Sequence, residues 1–261
     1  MKKLLTLLAL TISFSINAQW YENGTAMMTS GAAASGTYSF ATGYDTTASG
    51  TYSIASGYNT TASGSRSTAM GSGTTASGNN STAMGYFTTA SGNKTTAMGA
   101  NTTASDYGSL VIGQYNSSGS SATSATSFST SNTAFVIGNG EDSLNKSDAF
   151  KVMFNGDTTV GGDITISSDA RLKSNIVSLG ATLSKLLLID GKSYEKDGKQ
   201  RIGVLAQEIQ EVFPELVTED GNEMLAVNYQ GLVPVLINAL KEQDEKINRL
   251  ENLVEKLVAN Q

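Results

Sequence analysis

The chain has no cysteine and no histidine among its 261 residues. Without cysteine there is no disulfide, no thiolate nucleophile and no lipid-modified cysteine anchor. Without histidine, Ser-His-Asp triads, Cys-His dyads and the usual zinc sites are excluded. Catalysis would have to use Ser, Thr, Lys, Arg, Tyr or carboxylates, and no cofactor or metal is expected. A net charge of −6 argues against nucleic acid as a partner. Charge is scarce in the first half, where only Asp45, Arg66, Lys94 and Asp106 carry it between Gly24 and Gly140. From Asp169 onward there are 15 acids and 11 bases. Long apolar runs are missing too, apart from Leu4 to Ile16. That run follows Lys2 and Lys3 and precedes the small residue Ala18, so residues 1–18 are expected to be a secretory signal cut before Gln19. It is too short to cross a bilayer, so no transmembrane segment is expected once it is removed. The product would be secreted or held at a cell surface.

What fills the charge-poor stretch is a repeat. Ala-Ser-Gly stands at 34–36, 48–50, 62–64, 76–78 and 90–92, and Ala-Ser-Asp follows at 104–106, a period of 14. Seven residues later comes a second series, from Ala41-Thr42-Gly43 through Ala69-Met70-Gly71 to Val111-Ile112-Gly113. Threonine pairs keep step at 46–47, 60–61, 74–75, 88–89 and 102–103. A disordered Gly/Ser linker has no reason to hold phase; a solenoid does, because each unit stacks on the next. Each unit is expected to hold two short strands and two turns that glycine makes possible. Alternation along a strand would send Ala and Gly of each Ala-x-Gly inward and the middle residue outward, with threonine suited to the exposed surface. Six coils at ~4.8 Å give a rod roughly 29 Å long.

So narrow a coil buries too little apolar surface to offset chain ordering at about 25 cal/mol per Å². Several chains are therefore expected to pack side by side, with Ile54, Met70, Met84, Met98 and Ile112 as the shared seam. The 14-residue units with paired Ala-x-Gly resemble the head domain of trimeric autotransporter adhesins over about residues 31–117. The resemblance implies a left-handed parallel β-roll assembled as a trimer. The membrane β-barrel strands of those adhesins have no counterpart here, so the mode of surface attachment is open. The head-like region is assigned to residues 19–117, a Ser/Thr-rich linker to 118–133, and a short β connector to 134–167. Asn139-Gly140 and Asn155-Gly156 are hairpin signals within the connector.

Beyond the connector the sequence reads Ser168-Asp169-Ala170-Arg171-Leu172-Lys173-Ser174-Asn175-Ile176. Gly203-Val204-Leu205-Ala206-Gln207-Glu208, then Phe213-Pro214-Glu215-Leu216-Val217 and Val227-Asn228-Tyr229 follow in order. Residues 168–261 resemble the peptidase S74 domain, the intramolecular chaperone of phage endosialidase tailspikes and of myelin regulatory factor. That resemblance implies an autoproteolytic pair, carried over here as Ser168 and Lys173, with the scissile bond between Ser168 and Asp169. A cut at Ser167–Ser168 by an acyl shift is the chemical alternative. The pairing suits a chain without histidine, because a lysine stripped of water can act as the base for a serine hydroxyl. Each chain would cut once. Glu208, Glu211 and Glu215 are read as a solvated helix face, with Gln207 and Glu208 of interest through the motif.

The last segment is expected to be helical from about Gln230 to Ala259. Val233, Leu236, Leu240, Gln243, Ile247, Leu250, Val254 and Leu257 alternate steps of three and four, an a/d seam that makes a coiled coil at about 240–259. Near Val233 and Leu236 the helix is expected to pack on its own domain. A homotrimer that recognises a host, glycan or extracellular surface receptor is the expected assembly. The alternatives are a phage-type tail fibre and a glycan-degrading spike. The spike is weakened by the lack of an acid pair, since Asp45 and Asp106 lie over four coils apart.

Overall fold

The computed structural model describes residues 31–260, so the expected signal at residues 1–18 lies outside the described residues. The chain divides between Ile166 and Ser167 into two units.

The first unit is a β-solenoid. Short strands β1 (Ala33–Ala34), β3 (Thr47–Ala48), β5 (Thr61–Ala62), β7 (Thr75–Ala76), β9 (Thr89–Ala90) and β11 (Thr103–Ala104) form one parallel sheet in sequence order. The alternating strands are longer: β2 (Phe40–Tyr44), β4 (Ile54–Tyr58), β6 (Thr68–Ser72), β8 (Thr82–Tyr86), β10 (Thr96–Ala100) and β12 (Leu110–Gln114). They stack in parallel and in register, each residue opposite its equivalent one period on. The core between the sheets is a file of fully buried alanines, Ala41, Ala48, Ala55, Ala62 and so on to Ala104, ending in Val111 and Val136.

Several expectations change in detail. In the Ala-Ser-Gly series both Ala48 and Gly50 face inward, as alternation requires. In the second series the glycines do not; Gly57, Gly71, Gly85 and Gly99 take φ of +119° to +127° and stack on the equivalent glycine of the next coil. A Cβ on Gly85 would stand 2.1 Å from the Gly99 carbonyl oxygen, so glycine is required by the close approach of coils. The turns are not made by glycine for the most part. Tyr52, Arg66, Asn80 and Lys94 at one corner, and Asn59, Phe87 and Asn101 at the other, hold left-handed backbone. The ladder makes this affordable: each corner N–H bonds one coil back, as Tyr52 N does to Thr37 O at 2.8 Å. Of each threonine pair the first (Thr46, Thr60, Thr74, Thr88, Thr102) is fully buried and the second faces outward, as alternation along a strand requires.

The residues expected to form one seam fall into two ranks on the same outward face. Ile54 lies opposite Phe40 and Thr68, whereas Met70, Met84, Met98 and Ile112 follow one another. Ile54 and Met70 are 42% and 40% exposed in the single chain, large for apolar side chains aligned in rows.

Residues 118–133, expected as a linker, carry no helix or strand before Thr133 but are stitched to the last coil. Asp106, at the position where earlier coils have glycine, is 1% exposed. Its carboxylate accepts from Thr123 N (2.6 Å), Thr133 N (2.8 Å) and Thr133 Oγ1 (2.7 Å). Asn116 supplies the bonds a further coil would have made to β11: Oδ1 accepts from Thr103 N (2.8 Å) and Nδ2 donates to Thr103 O (2.9 Å). An amide side chain thus closes a sheet edge that would otherwise invite pairing. The chain then returns as β13 (Thr133–Asn139), parallel to β12, and β14 (Asp148–Met153) and β15 (Thr158–Val160) extend the sheet antiparallel. The 134–167 connector therefore begins as part of the solenoid sheet.

The second unit is small and mixed. Hairpin β16 (Lys192–Lys196) and β17 (Lys199–Gly203), the pair β18 (Val217–Glu219) and β19 (Leu225–Val227), and helices α1 (Leu183–Leu186), α2 (Ala206–Val212) and α3 (Leu232–Ala259) make it up. Its core is Ile209, Phe213 and Val235, with Leu186, Val204, Leu216, Val227 and Leu232 against them. The 28-residue α3 presents Leu232, Val235 and Ala239 to this core. Val233 and Leu236, expected to pack here, are 53% and 51% exposed. They belong instead with Leu240, Ile247, Leu250, Val254 and Leu257, an open apolar stripe along the helix.

Candidate active site

The expected Ser168 and Lys173 lie in the segment 167–181 of the second unit, every residue of which is exposed. Within it Asp169 begins a single tight turn over Ala170–Leu172. Its carboxylate accepts from the Arg171 N–H at 2.8 Å. Leu172 N donates to Asp169 O and Lys173 N to Ala170 O, each at 3.1 Å. The turn folds the chain back so that residues 168 and 173 meet: Lys173 Nζ donates to Ser168 Oγ at 2.6 Å. The expected pair is therefore in contact within one chain, and the spacing of five residues is what one such turn needs.

Arg171 adds a second tie. Its Nη2 reaches Asp169 Oδ2 at 2.7 Å, and its Nε lies 3.1 Å from both carboxylate oxygens. The guanidinium, followed by the capping N–H, holds the Asp169 carboxyl below the usual carboxylate range, and Asp169 in turn raises Arg171. Arg171 was not singled out from the sequence. The available signal was an Asp able to cap a turn with an Arg two residues on.

The downstream motif elements converge elsewhere in the unit. Glu208 pairs with Lys192 Nζ at 3.1 Å and accepts from Asp190 N at 3.3 Å, tying α2 to the start of β16; Gln207 is exposed. Asp190 first, then Glu208, raise the Lys192 amine above its ordinary value. A Cβ on Gly203 would stand 2.7 Å from Tyr229 Oη, which accepts from Val204 N at 3.2 Å. Two elements of the motif thus touch, and a side chain at 203 would have to displace the Tyr229 hydroxyl. Glu242, on α3, caps α1: it accepts from the N–H groups of Thr182 and, at 3.1 Å, Leu183. The Thr182 N–H is the main reason its carboxyl is held low.

A stacked parallel β-roll together with a small unit that bears a Ser–Lys pair and an open helical stripe defines a modular, fibre-type chain. Residues 168–218 match the family described as chaperone of endosialidase, and 34–60, 62–88 and 90–116 match the YadA head domain repeat. The chain carries both kinds of module. It is similar to the long tail fiber protein Gp37 of Enterobacteria phage K3, 36% identical over 101 residues that cover 34% of this chain and 8% of that protein. The Gp37 proteins of Enterobacteria phage M1 and Salmonella phage S16 are each 30% identical, over 34% and 36% of this chain and 40% and 14% of their own lengths. The chain thus spans well under half of the length of these relatives.

Proposed function

We propose that this protein is a secreted or surface-exposed homotrimeric fibre whose C-terminal unit assembles three chains and then removes itself by autoproteolysis at Ser168. The observation that carries the reading is the Lys173 Nζ to Ser168 Oγ contact of 2.6 Å on a preformed turn. The open stripe on α3 supports assembly, because an a/d seam of exposed Leu, Ile and Val is satisfied by copies of itself. The two apolar ranks on the solenoid support side-by-side association along the rod.

In the reaction, the neutral Lys173 amine takes the Ser168 hydroxyl proton and Oγ attacks a backbone carbonyl carbon. Attack on the residue's own carbonyl would close a four-membered ring; attack on that of Ser167 closes a five-membered one. The second course breaks the Ser167–Ser168 amide, whose nitrogen takes the proton from the Lys173 ammonium. Water then hydrolyses the ester, leaving a Ser167 carboxylate. Cleavage at Ser168–Asp169 gives a different mass.

The order of events follows from the rod's composition. In-register pairing of an alanine-cored coil costs closure entropy before contacts form. A module that gathers three chains first raises their effective concentration, and its loss afterwards traps the rod. Intact mass of wild type and Ser168→Ala, with sedimentation, tests this. Wild type yields a fragment beginning at Ser168 and the variant stays whole. A wild-type trimer that stays full length removes self-cleavage from the reading.

The tail-fibre relatives favour a second reading, a phage-type fibre with the same chaperone. A secreted product beginning at Gln19 decides for the cellular protein.

A further inference from the structure

The tie between Asp169 and Arg171 has a chemical consequence for the lysine beside it. Lys173 must lose a proton before it can take one from Ser168. A carboxylate within hydrogen-bond reach favours the ammonium and disables the base. Asp169 is the carboxylate on this turn, and it and Lys173 are the two residues that bound the single turn over Ala170–Leu172. Both of its oxygens are instead engaged by the Arg171 fork, and Oδ1 also accepts the Arg171 backbone N–H. Lys173 is left to Ser168.

We propose that Arg171 is a positioning residue for the Ser168–Lys173 pair: it occupies the Asp169 carboxylate, so the turn stays closed and that carboxylate does not capture the lysine. The proposal rests on the self-cleaving reading and goes beyond it. A lysine cannot replace the arginine fully, because an ammonium cannot span two carboxylate oxygens in the plane of a fork. Asp169 and Arg171 are the charged groups on the turn with Lys173, and residues 167–181 are exposed throughout.

The effect has a definite sign. An opposite charge within reach shifts a titration by about one unit or more, so the neutral fraction of a lysine at neutral pH falls about tenfold. Arg171→Ala frees Asp169 toward Lys173. Cleavage should slow about tenfold at pH 7, with the midpoint of its pH profile moved alkaline by about one unit. Arg171→Lys should fall between. Adding Asp169→Asn to Arg171→Ala should return the midpoint, because the competing charge is gone while Asn still caps the turn.

The test follows cleavage of the full chain by intact mass between pH 6 and 10 for these variants, with circular dichroism and sedimentation as checks of folding and assembly. An unmoved midpoint in Arg171→Ala overturns the proposal, whether or not the rate falls, since a merely structural role would slow cleavage without shifting it. Failure of the double variant to restore the midpoint also overturns it. A wild type that never cuts sinks the self-cleaving reading instead. In that event NMR titration of the lysine side chains in Ser168→Ala, with and without Arg171→Ala, still decides whether Arg171 keeps Asp169 from Lys173.

Discussion

Gly85→Ala should break the solenoid, although it adds one methyl group. Gly85 has φ of +124°, and its added Cβ would stand 2.1 Å from the Gly99 carbonyl oxygen. Holding an L side chain in that backbone region costs about 1–3 kcal/mol. Relieving the overlap needs a shift of about 1 Å between neighbouring coils, enough to weaken the ladder bonds that join β8 to β10. At about 1 kcal/mol net per bond, losing three of them brings the total to about 4–6 kcal/mol, comparable with the stability of a whole domain. For a unit of this size that lowers the melting temperature by about 10–20 °C. Gly162→Ala is the control, since nothing lies within 4 Å of its added Cβ. Thermal unfolding followed by circular dichroism reads both. If Gly85→Ala melts within about 2 °C of wild type, coil contact is not what demands glycine and the account of the second Ala-x-Gly series is wrong.

Buried Thr74 Oγ1 has no hydrogen-bond partner, so Thr74→Val should raise stability by about 1 kcal/mol or more; a loss would mean the hydroxyl is satisfied. Asp106→Ala strands the amides of Thr123 and Thr133, and should cost about 2–4 kcal/mol and open residues 118–133 to proteases, read as early nicking on a gel. Glu242 is held low by the Thr182 and Leu183 amides, so its contribution is present above its unfolded value and is lost as pH falls through the lower folded one. The C-terminal unit should therefore melt progressively earlier below about pH 4.5, and Glu242→Gln should flatten part of that slope. Leu250→Asp, on the open stripe of α3, should give chains that neither associate nor cut; an associated, cleaving Leu250→Asp trimer would exclude that stripe from assembly.

The repeat was legible because it is a symmetry: a period of 14 in small residues can be satisfied in space only by stacking equal coils. The α3 helix was legible for a related reason, its steps of three and four. What each glycine does was not legible. Gly50 is buried and Gly85 exposed, yet both occur as Ala-x-Gly and both abut the equivalent glycine of the next coil, and only the left-handed φ of one series separates them. The end of the solenoid was half legible. Asp106 broke the series openly, but its meaning depends on amides of Thr123 and Thr133, 17 and 27 residues further on. No local rule brings those groups together.

The amino-acid order by itself determined the number of coils and the exclusion of histidine and thiol chemistry, and through a motif resemblance it pointed to Ser168 and Lys173 as a pair. Those follow from periodicity, composition and a short motif, all of which are set by residue order along the chain and not by what packs opposite. Tertiary structure alone decided which threonine of each pair is buried and that Val235 rather than Val233 meets the core. Each of these is a choice between neighbouring faces of one element, and a face acquires its identity from what the rest of the chain places opposite it.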